Sequence, residues 1–256
     1  MSDLEVQSVP GSAPASPGLS QLQRVTNVFT APSKTFEDIK RGNKSWWMPW
    51  LIFSLIGYIF FFAVYTKIGM QQVVDNQIHL DPKTEERLAQ APPDARAMNT
   101  KISLYITEGV FIAGPVFVLA IAAVVAVVLW GTINFVFGGK AKFGSVFAVW
   151  FFANLPGVIK TLLSIVVIYA GAAPESFNIK NPAPTNLGAF LNPLETNKAL
   201  YSFASSLDAV TIWCLILMGI GVATVAGVKR SSGYIAVFGW WALIVLIGVG
   251  IAAATS

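Results

Sequence analysis

Apolar and polar positions separate along this chain into five long stretches almost free of charge, roughly 45–66, 109–139, 143–173, 209–228 and 231–256. Each is long enough to cross a hydrocarbon core, which takes roughly 20 residues of helix. The pattern predicts an all-α integral membrane protein, a bundle of five transmembrane helices with spans at about 46–67, 109–137, 145–171, 207–228 and 232–254. The polar connections are unequal. Those near 138–143 and 229–233 are short, whereas about 69–106 and 174–207 are longer than a simple connection needs.

Those longer segments carry their own helix signals. Asp81-Pro82 opens a helix, and Ala91-Pro92-Pro93-Asp94 ends it and offers a cap for the next. Pro182, Pro184 and Pro193 break up the second segment. Neither holds enough apolar residues for an independent core, so short helices packed over the mouth of the bundle are expected.

Ahead of the first span, Val25, Val28, Phe29, Phe36 and Ile39 recur at helical spacing, with Lys34, Lys40, Arg41 and Lys44 beside them and Trp46, Trp47 and Trp50 after them. An amphipathic helix over 24–44, lying at the membrane interface, fits this order. Thr35 and Asp38 suit its cap, and Pro32 separates it from the turn before. Residues 1–23 are rich in Pro, Ser and Gly, and a disordered tail is expected there. No apolar core of a cleavable signal occurs within residues 1–44.

Composition supports the membrane class, since only 12% of residues are charged and an average soluble domain carries about 25%. The net charge of +4 does not indicate nucleic acid, because the basic residues divide by membrane side. If the N-terminus is cytoplasmic, the inner segments hold nine basic residues and four acidic ones, and the outer segments seven basic and nine acidic. Both short connections are purely basic. The positive-inside rule then places the N-terminus in the cytoplasm and the C-terminus outside.

Motifs for chemistry are missing. The chain has no GxxxxGK[ST], HExxH, CxxC or GxSxG, so no catalytic, cofactor-binding or metal-binding residues are assigned. The only histidine, His79, lies in the first long connection with no second His or Cys near it in sequence. The only cysteine, Cys214, falls inside the fourth span. Gly219, Ala223 and Gly227 recur every four residues and mark a helix-packing face, directed at a neighbouring span or at a second copy of the chain.

The third span holds the strongest anomaly. FFANLPGVIKTLLS places Asn154, Pro156, Gly157 and Lys160 within an apolar helix. Pro156 deletes a helix hydrogen bond, and a kink is expected there. Lys160 costs about 2.5–3.5 kcal/mol on insertion scales, against about 0.3–0.6 kcal/mol returned by each apolar neighbour. Ala153, Gly157, Lys160 and Ser164 share one face, which should point into the bundle. Partners for the ammonium include Asn154, Ser164, Tyr169, freed carbonyls, Glu108 and Asp208. A straight-helix estimate puts Lys160 about 15 Å below the outer end, which argues against an easy pair with Asp208. A structural polar lock, a solute or proton pathway, and a lipid or partner contact all remain open for this lysine.

Pro32, Phe36 and Ile39 in a P-x-x-x-F-x-x-I pattern, then Trp46 and Pro49, Gly138-Gly139-Lys140, and N-L-P-G in the third span resemble the Yip-one domain family. SLDAVTIWCLILMGIG at 206–221 is similar to a segment of that family's bacterial branch, with Asp208 and Trp213 in matching places. The resemblance covers about residues 24–254. It implies a five-span protein with a cytoplasmic N-terminus and a non-enzymatic role in membrane organisation, trafficking or scaffolding. Eukaryotic members are associated with small Rab-type GTPases and vesicle formation. The short tail here lacks the acidic, aromatic segment and DLYGP-type motif of those members, which points away from a GTPase partner. The expected location is a bacterial inner membrane, or a Golgi or endoplasmic reticulum membrane in a eukaryote. The lipid bilayer, a homo-oligomer or other membrane proteins are the expected partners, and no cofactor is expected. The alternative is a small transporter or channel-like protein using the polar surroundings of Lys160.

Overall fold

The structure is a computed structural model that describes residues 18–255. It opens with a helical hairpin, α1 (Gln21–Thr30) and α2 (Pro32–Arg41). Ser20 and Gln23 form a reciprocal capping box at the start of α1, and Pro32 occupies the first turn of α2. Gly42, at φ 125°, ends α2 in a conformation that a side chain rarely adopts. The single amphipathic helix expected over 24–44 is therefore two helices turned at Ala31. Of the tail expected over 1–23, residues 1–17 lie outside the described residues, and residues 20–23 are the cap and first turn of α1.

Thr35 and Asp38 do not cap a helix. Both lie inside α2 and are buried with Phe36 and Ile39. The apolar face of the hairpin packs on the membrane helices rather than on lipid, because Val28, Phe36 and Ile39 join the main core with Val146, Val149, Phe152 and Val222.

The chain continues through α3 (Trp47–Lys67), α4 (Met70–His79), α5 (Pro82–Gln90), α6 (Pro93–Ile112) and α7 (Gly114–Gly131), which runs on into a π-helical turn at Thr132–Val136. α8 (Phe143–Ala153) and α9 (Gly157–Tyr169) follow, then two 3₁₀ turns at Pro174–Ser176 and Leu187–Phe190, α10 (Lys198–Ser206), α11 (Ala209–Ala226) and α12 (Arg230–Ala254). Among the described residues there are five helical segments long and apolar enough to cross a membrane: Trp47–Lys67, Gly114–Val136, Phe143–Tyr169, Ala209–Ala226 and Arg230–Ala254. The protein is an all-helical, multi-pass membrane protein.

The second span starts at Gly114 rather than near 109, since Pro115 interrupts the helix that α6 would otherwise extend. α6 opens at Pro92-Pro93, and Asp94 sits in its first turn without capping it. α11 is the most buried span and packs on α12, α8 and α2, whereas α3 packs on α9 and α7. One end of the bundle carries the hairpin and both short basic connections. At the other, loop-rich end a second core joins Ala63, Val64, Met70, Val73, Ile168 and Phe177, so that α4 and the segment after α9 close over α3 and α9.

A candidate polar site at the break in the third span

Proline dictates the local geometry. Pro156 has no N–H to donate, and the chain crosses from α8 to α9 on tight three-residue steps: Gly157 N to Asn154 O at 2.9 Å, Val158 N to Leu155 O at 3.1 Å, and Ile159 N to Pro156 O at 2.9 Å. Asn154 turns back on its own helix. Both its backbone N–H, at 3.1 Å, and its side-chain amide, at 2.8 Å, donate to the Trp150 carbonyl. Asn154 is thus committed to its own helix and is not bonded to Lys160. Gly157 borders a crevice of about 310 Å³ beside Phe53, Gly57 and Val118. An added Cβ there would meet nothing within 4 Å, so close packing does not require this glycine.

Lys160 lies one turn beyond the break, and Ser164 Oγ donates to its carbonyl at 2.9 Å. Its ammonium donates to Asp208 Oδ2 at 3.0 Å. The pair that a straight-helix depth estimate disfavours is present because the two spans differ in length. Lys160 stands 17 positions after the first residue of α8, and Asp208 stands 18 positions before the last residue of α11. Both are therefore about 26 Å from the hairpin end at 1.5 Å per residue. α11 is short, so its beginning meets the third span at the height of the lysine.

Asp208 is held on several sides. It is the N-cap of α11, where Oδ1 accepts the Thr211 N–H at 2.7 Å, and Thr185 Oγ1 donates to Oδ2. A single antiparallel bridge between Asn186 and Asp208, with Ala209 N donating to Thr185 O at 3.0 Å, ties this cap to the second long connection. The carboxylate side chain is 3% exposed and the lysine 34%. Above the pair, at the loop-rich end, opens a polar cavity of about 500 Å³ bordered by Asn178, Asn181, Asn186, Lys198 and Tyr201. Asn181 and Asn186 bond each other in both directions, so these amides support the wall.

The small-residue face divides by role. Gly219 and Ala223 meet Gly233 of α12: a Cβ on Gly233 would fall 2.2 Å from Gly219 O and 2.8 Å from Ala223 Cβ. Gly227 packs on nothing. It is the left-handed C-cap of α11, at φ 70°. Gly219 and Ala223 thus lie against α12, and Gly227 ends the helix.

A second polar pair was not anticipated. Arg24, fully buried, has Nε 3.5 Å from Asp38 Oδ2 and donates to Ser45 O at 2.7 Å, Asn43 O at 2.9 Å and Asn43 Oδ1 at 3.1 Å. Its guanidinium stacks 4.2 Å from the Phe152 ring centre. Burial pushes its pKa down to about 10, which Asp38 opposes; the group stays charged at neutral pH. Asp38 also accepts from Leu19 N and Asn43 Nδ2. The available signal was a carboxylate on the same helical face as Phe36 and Ile39, which requires a buried partner.

Among the described residues, no group of three or more His, Cys, Asp or Glu side chains gathers as a metal site. The arrangement of α1 to α12 has a counterpart in sequence: a family model described as the Yip1 domain matches residues 26–252. The chain belongs to the Yip1 domain family. Comparison with curated proteins and with solved structures gives no match. The matched Yip1 domain runs from the middle of α1 to near the end of α12 and includes Asp38, Lys160 and Asp208. Arg24 stands two residues before it.

Proposed function

We propose that this Yip1 family protein is a non-enzymatic organiser or scaffold of its membrane, with a trafficking-like role, set in a bacterial inner membrane with the hairpin end in the cytoplasm. The observation that carries this reading is how the buried charges are spent. Asp208 is occupied by Lys160, Thr185 and the Thr211 amide, and Arg24 is occupied by Asp38, Asn43 and Ser45. Both sets join elements of the fold, and Lys160, which borders the cavity of about 500 Å³, is held there by Asp208. The orientation rests on the grouping of Lys34, Lys40, Arg41, Lys44, Lys140, Lys142, Lys229 and Arg230 at the hairpin end.

The test is a comparison of variants in the native membrane. A scaffold retains its co-purifying membrane proteins, identified by mass spectrometry, when Lys160 is replaced by Met, and loses them when Gly219 is replaced by Leu. Solute or ion flux in liposomes that disappears with Lys160→Met would overturn the proposal in favour of a transport protein.

A further inference from the structure

At the hairpin end, a cavity of about 590 Å³ opens between the end of α2, the connection from α7 to α8 and the end of α11. Five cationic side chains border it: Lys40, Arg41, Lys44, Lys140 and Lys142. They come from two segments remote in sequence, and no carboxylate is among the bordering residues. Arg41 is the one partly committed, at 3.6 Å from Asp38 Oδ1. Charge of one sign around a concave site attracts a counter-ion more strongly than the same charges spread over a convex surface.

The floor adds a hydroxyl to these charges. Ser145 borders the cavity and is 5% exposed. Here it lies next to five cations, where an anionic oxygen would accept from it.

The walls are set before any ligand arrives. Asn134 and Ala141 exchange two hydrogen bonds, Nδ2 to O at 3.0 Å and N to Oδ1 at 2.8 Å, and Trp130 Nε1 donates to the same Ala141 carbonyl at 3.0 Å. Lys140 N donates to Ala226 O, and Gly139 N to Ile133 O. At Gly139 a Cβ would fall 2.8 Å from Ile133 O, so the connection closes only with glycine there. The Lys44 stem lies along Gly144. Besides Gly42, Gly138 and Gly227, the remaining lining is Val225 and Ala226 at the end of a span, which places the cavity at the boundary between apolar helix ends and polar connections.

We infer that this basic cavity binds the phosphate of an anionic lipid headgroup, with the lysines neutralising it and Ser145 Oγ donating to a phosphate oxygen. A lipid is favoured over a soluble phosphate by the position of the cavity at the ends of three spans, where headgroups lie. This inference does not depend on the proposed scaffold role.

The experiment uses the full-length protein in phosphatidylcholine nanodiscs that contain phosphatidylglycerol as a minor component, with bound phosphatidylglycerol quantified by mass spectrometry after isolation. At roughly 1 kcal/mol for each basic residue, Lys140→Gln with Lys142→Gln lowers retention about 30-fold. Ser145→Ala lowers it several-fold with no change in charge. Lys34→Gln with Lys229→Gln removes the same charge from the same end but outside the cavity, and leaves retention nearly unchanged. Equal losses in the two double variants would overturn the site in favour of diffuse attraction. Displacement of the lipid by glycerol phosphate or inorganic phosphate at comparable concentration would overturn the lipid as its occupant.

Discussion

Lys160 Nζ and Asp208 Oδ2, 3.0 Å apart, join the broken third span to the first turn of the fourth. The lysine is not stranded beside apolar helix, because α11 begins where its ammonium arrives and the second long connection dips to meet it through Thr185 and Asn186. A charge that would be costly in hydrocarbon sits instead at a helix cap beneath a polar cavity.

The two partners are unequal, and stability measurements should separate them. Asp208 caps α11, accepts from Thr185 and is almost wholly buried, whereas a third of the Lys160 side chain is exposed. Asp208→Ala should cost about 2–3 kcal/mol, from a lost cap and a stranded hydroxyl. Lys160→Met should cost about 1 kcal/mol or less. Thermal unfolding in detergent checks the order, and a larger loss for Lys160→Met would show that the carboxylate is not the anchor.

The hairpin depends on one buried cluster. Removing a single member of a buried pair leaves an uncompensated charge and costs about 3–5 kcal/mol. Arg24→Met and Asp38→Ala should each loosen α1 and α2 from α8 and α11. The expected readout is faster proteolysis within residues 18–45 with the spans left intact. Protection equal to that of the unaltered protein would mean that Val28, Phe36 and Ile39 hold the hairpin without the ion pair.

Glycines that look alike in sequence should differ under substitution. Gly233→Ala puts a Cβ 2.2 Å from the Gly219 carbonyl, which forces α11 and α12 apart at a cost of about 1–3 kcal/mol. Gly227→Ala meets no neighbour but strains a left-handed cap, at about 1 kcal/mol. Gly57→Ala has open space and a helical backbone, so no loss is expected. Unfolding in a denaturing detergent series ranks the three.

These contrasts show what the sequence discloses. The five spans are legible because bilayer thickness sets a length that composition alone satisfies, and the break is legible because proline lacks a donor. The face of Gly219 and Ala223 follows from helical spacing. Gly227 occupies the same spacing, yet whether a small residue packs or ends a helix depends on where the helix stops. The match of Lys160 to Asp208 depends on the relative lengths of two spans 48 residues apart in sequence, so a depth estimate from one helix alone misplaces it. Arg24 is obscured for a similar reason: among nine basic residues assigned to one membrane side, only the fold distinguishes the buried one from those in solvent.

The last prediction concerns the break itself. Pro156 breaks the hydrogen-bond ladder between α8 and α9 just before Lys160, and that break should help set where the ammonium meets the start of α11. Pro156→Ala restores a backbone donor and favours a continuous helix. The coupling between Lys160 and Asp208, about 1 kcal/mol from a cycle of Lys160→Met, Asp208→Asn and the double variant, should then fall toward zero when the cycle is repeated in the Pro156→Ala background. Total stability is the poorer readout, because the restored helix bond offsets part of the lost pairing. A coupling that survives the substitution would assign the placement of the pair to the Thr185–Asp208 connection instead of the proline, since only the latter is altered in the second cycle.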